Sequence, residues 1–171
     1  MIISDFRDRI LMITRATPPA GRAPVAGHRD DHGAAWDVAR NEVSEEVGLT
    51  VTSLTLTIPR HWRDNVCRRR AGSLGVGHYW TIFQATVTGK VQPNLTEAID
   101  ARWYTERELQ NLTDRTIAYA KGFLSNKEFA TEPGLQPVWV TFLKKIGRIR
   151  VSQADLTLVQ DAARDPQVRQ P

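Results

Sequence analysis

Three glutamates crowd into the five residues from 42 to 46, and this acidic segment constrains the fold more than any other part of the chain. Small apolar residues recur every fourth position through the same stretch, at Ala35, Ala39, Val43 and Val47. This spacing predicts a helix over 34–47 with one face that can be buried. Gly48 follows it and is typical of the left-handed residue that ends a helix.

On that helix the side chains of Glu42, Glu45 and Glu46 leave from one face, because residues three and four apart are neighbours. Like charges at this spacing destabilise a helix by roughly a few tenths of a kcal/mol per pair. No lysine or arginine four residues away offsets them. A solvated acidic face is the alternative, and it is the commoner one for glutamate-rich helices in general. The uncompensated charge favours a site for a hard divalent cation, which takes oxygen ligands.

The rest of the chain mixes strand patterns with helical ones. Strands are predicted over 2–4, 10–15, 49–60, 78–89 and 101–104, with a short strand or strand end at 25–28. A basic, glycine-containing loop is predicted over 61–77. Helical patterns follow at 105–112 and 114–129, a helix or strand at 137–149, and a helix from Ser152, with Asp155 completing its start signal. These elements predict one α+β domain with a helical C-terminal extension.

The acidic helix lies within a longer pattern that resembles the Nudix box. Gly27, five residues, position 33, seven residues and position 41 lead into Glu-Val-Ser-Glu-Glu-Val-Gly-Leu, and seven of the nine specified positions match. The resemblance extends over 1–112, and it implies an α/β/α sandwich around a mixed sheet. Residues 113–171 are expected to form a mainly helical extension packed on the same domain, with a frayed tail from about 164.

Two positions depart from the box, which has a glutamate where this chain has Gly33 and an arginine where it has Asn41. In the family those two side chains are expected to pair and to brace the loop against the helix. Because both the glutamate and the arginine are absent, no unpaired charge is left behind. Arg40, Asp30 or Asp31 can partly substitute for the missing brace. We expect Gly33→Glu together with Asn41→Arg to raise activity or stability more than either change alone.

The resemblance implies a catalytic metal centre. Glu42, Glu45 and Glu46 would be catalytic residues that hold Mg²⁺, or Mn²⁺ in its place, and Glu42 would also accept a proton from the attacking water. The carbonyl of Ala26 would be a further ligand. Glu97 is the chosen acid from a later loop, with a plain exposed loop residue as the equal alternative. The implied reaction hydrolyses the pyrophosphate bond of a nucleoside diphosphate linked to another group.

Candidate substrate contacts lie after the box. Arg60, Arg63 and Arg68 belong to a basic segment that could hold phosphates, because arginine binds them bidentately. Trp62 and Tyr79 could stack on a base. A solvated basic loop and aromatic core residues are the competing interpretations of these two groups.

Composition limits the classes of partner. Charged residues are 25% of the chain and hydrophobic ones 41%, which is typical of a globular domain. The net charge of +4 allows an anionic partner, yet no recognition motif for nucleic acid accompanies it. A small nucleotide or another diphosphate is therefore the expected partner, and a homodimer stays open. A single cysteine, Cys67, and the lack of a long apolar segment favour a cytoplasmic protein without membrane contact.

Other classes of function compete with the hydrolase. A Nudix-fold module that binds a nucleotide or regulatory ligand without turnover is the main rival, and the altered box favours it. The Nudix-fold isomerase of isopentenyl diphosphate would need a reactive cysteine ahead of the box, whereas Cys67 follows it. Nucleic-acid binding through the arginine-rich segment ranks last.

Overall fold

The computed structural model describes residues 1–16, 21–29, 33–66 and 73–164. The chain forms two compact units, and each is described by itself. The first unit comprises Met1–Ala16, Ala23–His61 and Trp80–Thr105. The second comprises Thr17–Arg22, Trp62–Tyr79 and Glu106–Pro171. The expected boundary after residue 112 stays a prediction, and the tail from 165 lies outside the described residues.

In the described part of the chain, six strands form two three-stranded sheets. They are β1 (Ile2–Ile3), β2 (Ile10–Arg15), β3 (Arg22–Ala23), β4 (Thr50–Asp64), β5 (Gly77–Thr88) and β6 (Ala98–Tyr104). One sheet has the order β1-β5-β4 and the other β3-β2-β6. β1 pairs parallel with β5, whereas β2 pairs antiparallel with β6. The strands of the first sheet, β1, β4 and β5, are rich in β-branched residues, which suit a pleated surface.

Five helices complete the described chain. They are α1 (Ala35–Val47), α2 (Glu106–Ala120), α3 (Asn126–Thr131), α4 (Pro137–Lys145) and α5 (Gln153–Ala162). The predicted α+β class and the helical C-terminal part are confirmed. Among the described residues, no helix combines the length and apolar character needed to cross a membrane.

The first unit is built around the apolar face of α1. Ala39, Val43 and Val47 are buried there in one cluster with Leu11 and Phe83 of the strands. The predicted helix is therefore confirmed, together with the face that the four-residue spacing marks as apolar. Its predicted end is confirmed as well, because Gly48 is left-handed at φ 69° and its amide donates to carbonyls of the last turn.

The second unit has a core of its own between helices. Trp139, Phe142 and Leu143 of α4 are fully buried, and α5 packs against both α2 and α4. The segment from 137, which periodicity left as helix or strand, is a helix. The predicted start of α5 is confirmed, since the Ser152 side chain accepts a hydrogen bond from the Asp155 amide.

Three predicted elements were wrong in their extent. Residues 25–28 are not a strand, and β3 ends at Ala23 before them. β4 continues to Asp64 and so takes in the beginning of the predicted loop. The helix expected over 114–129 is broken after Ala120, where Gly122 adopts φ 77°, a left-handed conformation that does not continue a helix.

Candidate metal centre

Three carboxylates meet in the first unit. Glu42 and Glu46 lie one turn apart on α1, and Glu97 lies just before β6. Each offers an oxygen, and these oxygens all lie within 4.8 Å of one another. Glu42 and Glu46 are only 8% and 4% exposed, whereas Glu97 is exposed. The structure therefore brings Glu97, which is distant in sequence, close to the two helical glutamates. Its expected role as a metal ligand stays a prediction.

The backbone at Ala26 and Gly27 lies directly against the two buried glutamates. The Ala26 amide donates a hydrogen bond to Glu46 Oε2 at 3.2 Å. A Cβ atom at position 27 would overlap the carboxylate of Glu42. A side chain at the first glycine of the box would thus force the Glu42 carboxylate to move. The expected metal ligand was the Ala26 carbonyl, and that role stays a prediction.

The charge on Glu46 is strongly disfavoured. Burial, the neighbouring Glu42 and, to a smaller extent, Glu97 raise the pKa of Glu46 to about 8, against the opposing effects of the Ala26 amide and Arg15. Carboxylates that repel one another in a desolvated place are stabilised by a positive charge among them. The arrangement is therefore suited to a cation.

Arg15 is a charged neighbour that the sequence-based prediction missed. It ends β2, opposite Ala98 of β6, and its positive charge acts on Glu46. The next residue, Ala16, donates its amide to the carbonyl of Glu97 at 2.9 Å. A single arginine at the end of an apolar strand carries no periodic signal, so only the pairing of β2 with β6 places it at the site.

Glu45 lies outside the group of three. Its side chain is exposed, whereas Glu42 and Glu46 are buried. With about 100° of rotation per residue, Glu45 lies about 60° from Glu42 around the helix axis, on the side away from Glu46. Its expected roles as metal ligand and catalytic residue stay predictions.

The two altered positions of the box differ in their surroundings. Gly33 has φ 85°, and no atom of the residues that the structure describes lies within 4 Å of where its Cβ would be. Asn41 and Arg40 are exposed on α1. Arg29 Nε donates to the carbonyl of Gly33 at 3.2 Å. An arginine thus bonds the backbone of position 33, the position at which the box pattern has a glutamate. Asp30 and Asp31, the expected substitutes, lie outside the described residues.

The candidate substrate residues are partly brought together. Trp62 and Tyr79 of the second unit contact each other edge to face, with ring centroids 5.2 Å apart and planes at 70°. Arg63 donates to the carbonyl of Trp62 at 3.3 Å. Arg60 is exposed on the part of β4 in the first unit. Arg68 lies outside the described residues.

The chain has an α+β fold, with two buried glutamates on one helix and a third glutamate beside them. These features are typical of proteins that bind a divalent metal ion. The NUDIX domain family model matches residues 1–124. The chain belongs to this family.

Relatives agree with that assignment. The human protein named NAD(P)H pyrophosphatase NUDT13, mitochondrial, is 28% identical over 120 residues, covering 70% of this chain and 32% of that protein. The chain therefore spans about a third of the length of this relative. The structure of a NUDIX hydrolase from Nitrosomonas europaea has a TM-score of 0.51 at 22% identity, covering 64% of this chain and 72% of that one. This likeness shows a common fold.

Proposed function

We propose that the chain is a Nudix-type hydrolase that requires a divalent cation and cleaves the pyrophosphate bond of a nucleoside diphosphate linked to another group. The observation that carries the proposal is the convergence of Glu42, Glu46 and Glu97 within 4.8 Å. Membership of the NUDIX domain family supports the same reaction class.

The three glutamates fit a Mg²⁺ or Mn²⁺ ion. Their donors are carboxylate oxygens, the ligands that hard cations prefer, and Mg²⁺ binds such oxygens at about 2.1 Å. Oxygens on opposite sides of one ion are then about 4.2 Å apart, which lies within the 4.8 Å that bounds the separations in this group. The raised pKa of Glu46 supports the same conclusion, because a bound cation would compensate the buried charge.

Each residue has a proposed role in the reaction. Glu42, Glu46 and Glu97 bind and orient the cation, with Glu45 and the Ala26 carbonyl as further proposed ligands. When bound there, such an ion would neutralise the diphosphate and lower the pKa of the attacking water. Glu42 accepts the proton of that water as its oxygen bonds to phosphorus. The bridging P–O bond breaks, and a nucleoside monophosphate and a phosphorylated product leave.

Substrate recognition is proposed from the second unit and from β4. Trp62 and Tyr79 already contact each other and offer aromatic surface to a base, while Arg60, Arg63 and Arg68 offer charge to phosphates. The name of the human relative, an NAD(P)H pyrophosphatase, supports a dinucleotide joined through a diphosphate. A homodimer and a cytoplasmic location stay predictions, and that relative is named as mitochondrial.

A binding module without turnover is the second candidate. Gly33 and Asn41 favour it, because neither can supply the charged brace that the box normally contains. The buried glutamates favour the enzyme, since two acidic side chains held in the core are costly to retain without a cation.

A substrate panel separates the two candidates. Purified protein is incubated with nucleoside triphosphates, oxidised nucleotides, ADP-ribose, dinucleoside polyphosphates, NADH and nucleotide sugars, with Mg²⁺, Mn²⁺ or EDTA, and the products are separated by chromatography. We expect a metal-dependent nucleoside monophosphate from at least one diphosphate. A protein that turns over none of them, but melts at a higher temperature with one, is the binding module.

A further inference from the structure

Glu97 is the exposed member of the group of three glutamates, whereas the side chains of the other two, on α1, are buried. It belongs to the segment 89–97, which connects β5 to β6 and has no regular secondary structure. A carboxylate on such a segment needs a specific anchor to stay within 4.8 Å of the buried pair. The hydrogen bonds of the segment identify that anchor.

The segment is fastened to the end of α1. The amide of Asn94 donates to the carbonyl of Glu46 at 2.9 Å, and the amide of Gln92 donates to the carbonyl of Val47 at the same distance. Both acceptors belong to the last turn of the helix, whose carbonyls have no partner within the helix itself. The connecting segment therefore caps the helix that carries the buried glutamates.

The other side of Asn94 holds Glu97. The Asn94 carbonyl accepts hydrogen bonds from the amides of Glu97 and Ala98, at 2.9 and 2.8 Å. Its side-chain Oδ1 accepts from the amide and the hydroxyl of Thr96, at 3.2 and 2.8 Å. This is the turn in which an asparagine side chain bonds the backbone two residues further on. One residue thus connects the backbone of Glu46 to the backbone of Glu97.

We propose that Asn94 is a positioning residue that sets the place of the Glu97 carboxylate relative to Glu46, and that its side chain is needed for this. The proposal rests on the proposed function, because a cation gives that placement its purpose. Asn94 acts through Glu97 and does not itself contact the ion. Without the Oδ1 acceptor the turn over 94–97 loses both bonds to Thr96, and only the backbone bonds of Asn94 to Glu46, Glu97 and Ala98 remain to fix its shape.

Binding of Mn²⁺ alone, followed by electron paramagnetic resonance, tests the proposal on the full chain. We expect Asn94→Ala to weaken Mn²⁺ binding about tenfold, the scale found when a residue that orients a metal ligand is removed. Asn94→Asp keeps the Oδ1 acceptor and should bind nearly as tightly as the wild type. Asn126→Ala is the matched control, since it removes an asparagine acceptor on α3 that the Tyr119 hydroxyl of α2 uses, and it should leave Mn²⁺ binding unchanged.

A double-mutant cycle shows whether the effect passes through Glu97. Glu97→Gln weakens Mn²⁺ binding by itself, and Asn94→Ala should add nothing in that background. An equal loss in both backgrounds would overturn the proposal, because the side chain would then act on general stability. Thr96→Ala removes only the hydroxyl donor and should give a smaller loss, which keeps the test decisive where Asn94→Ala does not fold.

Failure of this proposal differs from failure of the proposed function. A wild-type protein that binds no Mn²⁺ contradicts the metal site as a whole. If the wild type binds Mn²⁺ and the folded Asn94→Ala variant binds it equally tightly, the role of Asn94 is refuted. The proposed hydrolase function is not contradicted by that result.

Discussion

In the candidate centre, the backbone of Gly27 lies directly against the carboxylate of Glu42. The box pattern alone says only that a glycine belongs there. The structure supplies the reason, because the Glu42 carboxylate occupies the place of a side chain at position 27. The Ala26 amide beside it donates to Glu46. Two adjacent backbone units thus shape the surroundings of both buried glutamates.

The first prediction concerns that packing. Gly27→Ala should push the Glu42 carboxylate aside, lower the free energy of unfolding by roughly 1–3 kcal/mol and weaken Mn²⁺ binding at least tenfold. Chemical denaturation and Mn²⁺ titration measure the two effects. Gly147→Ala is the control, because Gly147 has a positive φ of 76° in open space and should lose stability without losing metal. Unchanged metal binding in Gly27→Ala would contradict the close packing.

The second prediction concerns pH. A glutamate whose pKa is raised in the folded state to about 8, from 4.5, binds its proton more tightly when folded, so its stabilising contribution is lost as pH rises through that range. Without metal, Glu46→Gln should therefore gain stability relative to the wild type between pH 5 and pH 8. Melting temperatures in EDTA measure this difference.

The comparison between the two proteins is needed because a second group titrates over the same range. Burial lowers the pKa of the Met1 amine to about 5, from 8.0, which contributes the opposite slope. The amine is present in both proteins, but the charge of Glu46 raises its pKa, so the difference between them reports Glu46 together with its effect on the amine. A difference that does not vary with pH would show that Glu46 titrates normally.

The third prediction reverses an expectation from the box pattern. Gly33 has a φ of 85°, and a residue with a side chain pays roughly 1–2 kcal/mol in that left-handed conformation. Gly33→Glu should thus destabilise the protein, and adding Asn41→Arg should not restore the loss. Urea denaturation of both single variants and the pair measures this. A pair more stable than the wild type would show that the brace of the family can be rebuilt.

At the scale of elements, the sequence pattern correctly predicted those features that depend only on neighbouring residues. The four-residue spacing and Gly48 predicted α1 and its end, because helix periodicity and the left-handed cap depend on neighbouring residues. The spacing also predicted one face for all three helical glutamates, yet Glu45 is exposed, because burial depends on which elements cover the helix.

The rest of the site depends on long-range pairing. Glu97 was identified only through the resemblance, and the bonds between Asn94 and α1 bring it close to Glu46, which lies 51 positions earlier in the chain. Arg15 reaches the site because β2 pairs with β6. Neither the asparagine turn nor the strand pairing has a periodic signal in the sequence, which is why both were missed.

The fourth prediction tests the end of α1. Gly48→Ala places a Cβ about 3.2 Å from Gln92 in a left-handed conformation, and Gln92 belongs to the segment that carries Glu97. We expect a loss of roughly 1–2 kcal/mol in stability together with weaker Mn²⁺ binding. Gly122→Ala, at φ 77° in open space, should cost similar stability and leave the metal affinity unchanged. Equal metal affinities in the two variants would contradict the link between this helix end and Glu97.

At the scale of the whole molecule, the chain contains two compact units, each with a buried core. The match to the NUDIX domain spans 1–124 and thus includes all of the first unit's residues and α2. The candidate metal centre lies wholly in the first unit, whereas Trp62 and Tyr79 lie in the second. The mixture of strand and helix patterns, which do not strictly alternate, predicted the α+β class, but the division into units follows from contacts distant in sequence.

The most direct test of the metal centre is a crystal structure of the protein soaked in Mn²⁺, with the ion identified by its anomalous scattering. We expect one peak bonded to carboxylate oxygens of Glu42, Glu46 and Glu97 at about 2.1–2.2 Å, and no peak there in Glu46→Gln. An ion bound elsewhere in the chain, or no ion at Mn²⁺ concentrations that support turnover, would contradict the assignment of these three glutamates.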